Sequence, residues 1–122
     1  MTRAAHHVAL VVDDEPLIRM LASEAFADAG FRVLEAGHAA EALLVFAAQS
    51  RIHVLFTDVN MPGEMDGIGL AEHLNRVAPE VHIVITSALP IQRPIGHLSA
   101  TFVSKPYDVE AVPRDAMARL VA

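Results

Sequence analysis

Cysteine is absent from this chain of 122 residues, which excludes disulfide bonds and thiolate metal sites and is compatible with a reducing cytoplasm. The net charge is −6 and no run of lysine or arginine occurs, so binding to nucleic acid is not expected, because phosphate contacts need clustered cations. No apolar run approaches the roughly 20 residues that a membrane helix requires, and residues 1–7 hold no apolar stretch of signal-peptide length. We therefore expect a cytoplasmic protein that binds neither membranes nor nucleic acids.

The sequence signatures of nucleotide and zinc sites are also missing. Neither G-x-G-x-x-G nor G-x-x-x-x-G-K-[ST] occurs, so a nucleotide-binding protein is not expected. The seven histidines show no H-E-x-x-H or similar ligand spacing, which argues against a zinc site. The length of the chain fits one compact domain, which we expect to occupy residues 1–122.

Short apolar runs alternate with segments of helical spacing along the whole chain. Five of these runs predict β-strands, at residues 8–12, 32–36, 53–57, 81–86 and 101–103. Helices are predicted from Pro16 to the residues before Gly30, from about Ala39 to Ser50, in a segment closed by Pro79, and from about Asp108 to Val121. Asp14 is a plausible N-cap for the first of these helices. The alternation predicts an α/β fold, in which helices cover both faces of a doubly wound parallel sheet.

The connection between the fourth and fifth predicted strands has room for little regular structure. Only twelve residues separate Ala88 from Thr101, and they include Pro90, Pro94 and Gly96. Proline in a helix interior removes a hydrogen bond and clashes with the preceding turn. We therefore predict that the helix expected at this place is short, irregular or absent.

Acidic residues follow two of the predicted strands, where Asp13 and Asp14 end the first strand and Asp58 ends the third. The carboxyl ends of parallel strands meet at one edge of a sheet, so these acids converge if the two strands are neighbours. Three carboxylates this close repel each other and need a cation to stay ionised together. Oxygen ligands of this kind favour a hard ion, Mg²⁺ or Mn²⁺. Each acid alone could instead be a helix N-cap.

Lys105 follows the fifth predicted strand and is the one lysine of a chain that has eight arginines. A compact ammonium group here suggests a point charge directed at an anion, and a solvated surface lysine is the alternative. With the carboxylates, a metal ion and the hydroxyl groups of Thr86 and Ser87, it forms a set of groups suited to phosphoryl transfer. An aspartate can serve as the nucleophile, with a pKa of about 4 that keeps it ionised at pH 7.

Five short motifs resemble those of the receiver family, whose members include chemotaxis regulators and act in two-component signalling. The motifs are V-V-D-D-E-P at residues 11–16, T-D-V-N-M-P at 57–62, M-D-G at 65–67, T-S-A at 86–88 and K-P at 105–106. They span the chain in the order that the family has. The resemblance implies a flavodoxin-like fold with sheet order 2-1-3-4-5 and, in this chain, a short or irregular fourth helix.

The resemblance also implies a role for each charged residue of the site. Asp58 resembles the phosphoacceptor, which takes a phosphoryl group from a sensor histidine kinase or a phosphotransfer protein. Asp14 resembles the direct Mg²⁺ ligand and Asp13 a ligand that acts largely through water, while Asn60 would offer its backbone carbonyl. Lys105 resembles the lysine that pairs with the phosphate, before a cis peptide bond to the next proline.

A switch is implied by the same resemblance. Ser87 resembles the hydroxyl that turns toward the phosphoryl group, with Thr86 as the alternative, and Phe102 resembles the aromatic residue that moves inward with it. A place in the core is the alternative for Phe102. Phosphorylation would thereby alter a surface that an unidentified downstream protein reads. Such a protein is a signalling module and not an enzyme, except that it assists its own phosphorylation and dephosphorylation.

The sequence departs from the family pattern at two places, and both bear on how phosphorylation would be communicated to other proteins. The loop after Asp58 is longer than usual, at Gly63 and Glu64, and the region of the fourth helix is shorter. Two other functions stay open. One is a phosphorylation-independent receiver that only binds proteins, and the other is a metal-dependent phosphatase, which usually has a second acid where this chain has Asn60. The sequence does not identify the cognate kinase, the downstream target or the regulated process.

Overall fold

The structure, a computed structural model, describes residues 7–49 and 51–122 and contains five strands and four helices within them. In chain order these are β1 (Val8–Val12), α1 (Pro16–Asp28), β2 (Arg32–Ala36), α2 (Ala39–Ala48), β3 (Val54–Asp58), α3 (Gly67–Val77), β4 (His82–Ser87), β5 (Thr101–Ser104) and α4 (Ala111–Val121). The five predicted strands are therefore confirmed. The predicted end of the second helix, Ser50, lies outside the described residues.

The five strands form one parallel sheet in the order β2-β1-β3-β4-β5, which confirms the predicted layout. Every residue of β1 and β3 is buried, because both strands lie inside the sheet and are covered on both faces. The register pairs Val12 with Thr57 and Asp58 with Thr86. The carboxyl ends of β1, β3 and β4 therefore lie side by side at one edge of the sheet.

Side chains of the sheet alternate between two hydrophobic cores, one on each face. The first core joins β1 to α2 and α3; it includes Val8, Leu10, Val12, Ala39, Ala42, Ile68, Leu70, Ala71 and Leu74. The second core joins β1 to α1 and α4; it includes Ala9, Val11, Ala22, Phe26, Val112 and Ala116. Helices thus cover both faces, as a doubly wound sheet requires. None of the helices in the described part of the chain has the length and apolar character needed to cross a membrane.

The ends of the helices differ from the predictions at two places. Gly30 follows α1 with a φ of 105°, as expected of a residue that ends a helix. The N-cap of α1 is Glu15, with no capping bond from its side chain, so the prediction of Asp14 as N-cap is wrong. Helix α4 begins at Ala111 and not near Asp108, because Oδ1 of Asp108 accepts the N–H groups of Glu110 and Ala111 in a separate turn.

The segment between β4 and β5, residues 88–100, contains no helix. Its apolar side chains Ile91, Ile95 and Leu98 still pack against the first core, at the spacing that a helix would have given them. Proline and glycine at positions 94 and 96 account for the irregular backbone. The segment therefore covers the sheet as the expected helix would, but with an irregular and mostly exposed chain.

Candidate functional site

Three carboxylates meet at the carboxyl edge of the sheet. One ligand oxygen from each of Asp13, Asp14 and Asp58 lies within 4.8 Å of the others. Asp13 is 4% exposed and Asp58 is 9% exposed, while Asp14 is open to solvent. Burial raises the pKa of Asp13 above its ordinary value, and the charges of Asp58 and Asp14 act in the same direction. The N–H of Glu15 and the charge of Lys105 oppose this rise in the pKa.

The backbone of Asp13 is fixed from two sides. Its N–H donates to the carbonyl of Ala36 at 3.2 Å, which extends the pairing of β1 with β2. Its carbonyl accepts a bond of 2.8 Å from Nη1 of Arg19, whose Nε also pairs with the carboxylate of Glu35 at 3.1 Å. Oδ1 of Asp13 accepts the N–H of Glu15 at 2.9 Å. These contacts hold the carboxylate in position at the start of α1.

The donor set at this edge suits a hard divalent cation. Three carboxylates supply charged oxygen atoms, and a positive ion would offset the burial and the mutual repulsion that together raise the pKa of Asp13. Asn60, two residues after Asp58, is exposed and lines a cavity of about 310 Å³ together with Ser87. The residues present therefore fit a Mg²⁺ or Mn²⁺ ion, and the part assigned to the Asn60 carbonyl stays a prediction.

The ammonium group of Lys105 lies beside Asp58, with 3.4 Å between Nζ and Oδ2. The side chain of Lys105 is 23% exposed, which does not match a freely solvated surface lysine. Its backbone N–H donates to the carbonyl of Ser87 at 3.0 Å and so joins the ends of β4 and β5. The bond between Lys105 and Pro106 is cis, as the resemblance implied. The one lysine of the chain thus stands next to the proposed phosphoacceptor.

The two candidate switch hydroxyls have different environments. Ser87 is half-buried, and its Oγ donates to the carbonyl of Leu89 at 2.7 Å and accepts the N–H of Leu89 at 3.2 Å. Thr86 is buried, and its Oγ1 has no hydrogen-bond partner among the residues that the structure describes. Thr86 is also the residue of β4 paired with Asp58, so both side chains lie on the same face of the sheet. Successive residues of a strand point to opposite faces, which places Ser87 on the other one.

Phe102 lies on β5, the edge strand, and is 38% exposed. It is paired with Ile85 of β4, one residue before Thr86. An exposed ring does not agree with the alternative that Phe102 belongs to the core. Its assignment as the switch aromatic stays a prediction.

Two features near the site were not anticipated from the sequence. The ring of Tyr107 packs edge-on against Phe56 with 5.7 Å between centroids, and burial followed by the charges of Asp13 and Asp58 raises its pKa. Gly67, the first residue of α3, leaves no room for a side chain, because a Cβ there would overlap the carbonyl oxygen of Asp58. The M-D-G motif was the signal for this glycine, but the close approach is visible only in three dimensions.

A groove of about 640 Å³ runs from Lys105 along α1 and the connection between β5 and α4. Its apolar lining includes Ile18, Leu21, Ala25, Pro106 and Val109. Its acidic lining consists of Glu15, Glu24, Asp28 and Glu110. The groove thus combines an apolar floor with carboxylate walls, and it begins at a residue that contacts Asp58.

Comparisons with known proteins agree with this geometry. The family model described as response regulator receiver domain matches residues 9–114. Sporulation initiation phosphotransferase F of Bacillus subtilis (strain 168) is 28% identical over 114 residues, which are 88% of this chain and 88% of that protein. The transcriptional regulatory protein AruR of Pseudomonas aeruginosa is 40% identical over 80 residues, which are 62% of this chain but only 32% of AruR.

A solved structure gives the same result for the fold. The crystal structure of a response regulator receiver protein from Pseudomonas putida matches with a TM-score of 0.83 at 25% identity, over 96% of this chain and 99% of that one. The resemblance predicted from the five motifs is confirmed, and the chain belongs to the response regulator receiver family of two-component signalling systems.

Proposed function

We propose that the chain accepts a phosphoryl group on Asp58 in a metal-dependent reaction and that this modification switches a protein-binding surface. The observation that carries the proposal is the contact of 3.4 Å between Nζ of Lys105 and Oδ2 of Asp58, inside the cluster of three carboxylates. A positive group beside a buried carboxylate, next to further oxygen ligands, is the arrangement that phosphoryl transfer needs. The receiver unit would extend over residues 1–122, including the short stretches outside the family match.

The chemistry assigned to Asp58 is nucleophilic attack on phosphorus. A carboxylate oxygen forms the new phosphorus–oxygen bond as the phosphorus–nitrogen bond of a phosphohistidine breaks and the electron pair returns to the imidazole. Lys105 neutralises charge on the phosphoryl oxygens. We assign Mg²⁺, with Mn²⁺ as the alternative, to four ligands: Asp13, Asp14, Asp58 and the carbonyl of Asn60. The bound ion would supply positive charge to the same oxygens.

We assign the switch hydroxyl to Ser87, with Thr86 as the alternative. Ser87 is half-buried and lines the cavity of about 310 Å³ that Asn60 also lines. Phe102 is paired with Ile85, two residues before Ser87, so Phe102 and Ser87 lie on the same face of the sheet. In this assignment Ser87 gives up its two bonds to the backbone of Leu89, and an inward movement of Phe102 beside it changes the surface of β5 that a downstream protein reads. Thr86 is the alternative because it lies on the face that carries Asp58 and its hydroxyl has no partner within the described chain.

The phosphodonor is proposed to be a sensor histidine kinase or a phosphotransfer protein. The groove between α1 and the β5–α4 connection leads to Lys105, and its apolar floor and acidic walls favour a helix with apolar and basic residues. In this role the protein is a signalling module that assists its own phosphorylation and dephosphorylation. The absence of nucleic-acid binding and a cytoplasmic location stay predictions.

The test is to incubate the protein with Mg²⁺ and acetyl phosphate and to measure its intact mass. Wild type should gain one phosphoryl group, whereas Asp58→Asn, and wild type with Mg²⁺ chelated, should gain none. The Asn side chain keeps the size of Asp58 but lacks the nucleophilic carboxylate. A folded wild-type protein that gains no phosphoryl group under any condition would point to the alternative function, a receiver that binds proteins without being phosphorylated.

A further inference from the structure

Arg93 is a cation near the phosphorylation site that the proposed chemistry does not yet use. Its Nη2 donates to Oδ1 of Asp66 at 2.8 Å, and this ion pair connects the irregular segment 88–100 to the start of α3. The same oxygen accepts the N–H of Gly69 at 2.9 Å, so Asp66 is both the N-cap of α3 and the partner of Arg93. The side chains of Arg93 and Asp66 are 46% and 31% exposed, so the pair is accessible to solvent.

The position of Arg93 connects it to the reacting end of the sheet. It lines the cavity of about 310 Å³ whose other walls include Val59, Asn60 and Ser87, the residues that follow β3 and end β4. Lys105 reaches Asp58 from a different side, because it lines the groove formed with α1. Arg93 and Lys105 therefore line two different cavities, and each cavity includes residues at the carboxyl ends of the strands.

We propose that Arg93 is a second binding residue for the phosphoryl group and that its guanidinium exchanges between Asp66 in the unmodified protein and the phosphoryl oxygens of modified Asp58. This inference rests on the proposed function. A phosphoryl group adds a charge of about −1.5 to −2 and three acceptor oxygens, and a guanidinium binds such groups through paired N–H donors. Because Asp66 keeps its bond to Gly69, the start of α3 remains capped when Arg93 leaves.

If Arg93 exchanges in this way, substitutions of Asp66 and of Arg93 should have opposite effects on the binding of a phosphoryl group. Asp66 competes with the phosphoryl group for Arg93, so removing its charge should strengthen binding of a phosphoryl group. Removing the guanidinium should weaken it. If the ion pair served only to hold segment 88–100 to α3, substitution of Arg93 or of Asp66 would break the same contact. The two substitutions should then change phosphoryl binding in the same direction.

The test is a titration with beryllofluoride, a phosphoryl analogue, in the presence of Mg²⁺. Binding is monitored by the fluorescence of Tyr107, which is the one tyrosine of a chain without tryptophan. Arg93→Gln should weaken binding by about three- to tenfold, the order of a charge-assisted hydrogen bond that is partly open to solvent. Arg93→Lys should recover part of the loss. Asp66→Asn, which keeps a good N-cap, should tighten binding, and this gain should vanish in the double variant with Arg93→Gln.

Arg76→Gln is the matched control. Arg76 is an exposed arginine on α3, the helix that Asp66 caps, and its side chain has one polar contact among the described residues, with its neighbour His73. It should bind beryllofluoride as wild type does. Equal binding by wild type, Arg93→Gln and Asp66→Asn would overturn the inference and leave the proposed function intact. No binding by folded wild type would overturn the proposed function itself.

Discussion

The side chains of Lys105 and Asp58 meet at the carboxyl edge of the sheet, with 3.4 Å between Nζ and Oδ2, although they come from β3 and from the residue after β5. The hydrogen bond from the backbone N–H of Lys105 to the carbonyl of Ser87 ties the end of β5 to the end of β4 and so fixes the backbone of Lys105. The ammonium group of Lys105 is thus positioned to interact with the carboxylate of Asp58 or with a phosphoryl group attached to it.

Replacing Lys105 should slow phosphorylation without unfolding the protein. We expect Lys105→Gln to lower the initial rate with acetyl phosphate and Mg²⁺ by about 10- to 100-fold, because a positive group that stabilises the charge of the transferred phosphoryl group is lost. Lys105→Arg should be impaired less, since it keeps the charge but not the compact ammonium group. The rate is measured by intact mass, with Arg114→Gln on α4 as the control. An unchanged rate in Lys105→Gln would contradict this role.

Replacing Gly67 should destabilise the fold near the end of β3, the strand that ends at Asp58. A Cβ at this position would overlap the carbonyl oxygen of Asp58, so Gly67→Ala must displace either α3 or the end of β3. We expect a loss of about 1–3 kcal/mol in the free energy of unfolding, which is typical of overpacking a tight site. Urea denaturation gives the value. Gly96→Ala is the matched control, because no atom of the described residues lies within 4 Å of its added Cβ, and a similar loss there would refute the steric explanation.

Short-range patterns were sufficient to predict the strands, their parallel arrangement and the acids that follow them, whereas the strand order that makes β1 and β3 neighbours was implied by the resemblance to the receiver family. Apolar runs that end in Asp13 and Asp58 predict buried parallel strands, and parallel strands bring their carboxyl ends together. The prolines between β4 and β5 likewise predicted that no regular helix forms there. These features depend on local composition and on the rules of α/β folds.

Contacts between distant residues could not be predicted in this way. The pairing of Arg93 with Asp66 depends on where an irregular segment lies on α3, for which no periodic pattern exists. The choice between Ser87 and Thr86 stays a prediction for a different reason. A shift of one residue moves a side chain to the opposite face of the sheet, and two hydroxyl residues follow each other at the end of β4.

Thr86 and Ser87 should therefore respond differently to removal of their hydroxyls. Thr86→Val keeps the shape and removes a buried hydroxyl that has no partner in the described chain, so stability should hold or rise by up to about 1 kcal/mol. Ser87→Ala removes two bonds to the backbone of Leu89 and should cost about 0.5–1 kcal/mol. Thermal unfolding of the unphosphorylated proteins measures both values.

The same pair of variants separates the switch from the chemistry. Both should still gain a phosphoryl group on Asp58, but only Thr86→Val should retain the change in amide hydrogen exchange at Phe102 that phosphorylation causes in wild type. Loss of that change in Thr86→Val, with Ser87→Ala normal, would assign the switch to Thr86 instead.

We expect the stability of the fold to depend on pH through His53, which lies at the amino edge of the sheet. Its Nδ1 accepts the N–H of Val8 at 2.9 Å, a bond that only the neutral ring can accept. Burial lowers the pKa of His53, and the nearby Arg51 and His7 lower it further, with the ring of His7 centred 5.0 Å away. The pKa of His82, which lies on the neighbouring strand, is lowered by burial and by Arg119.

The sign of the pH dependence follows from these depressed pKa values. An unfolded histidine titrates at about 6.5, so below that pH the unfolded chain binds more protons than the folded one. The free energy of unfolding should therefore be constant with respect to these groups above pH 6.5 and fall as the pH drops toward their folded-state pKa values. Denaturation in urea between pH 8 and pH 5 measures this slope. His53→Gln, whose amide oxygen can still accept the N–H of Val8, should flatten the slope, while His73→Gln on α3 should not. A slope equally steep in His53→Gln would show that the acid sensitivity arises elsewhere.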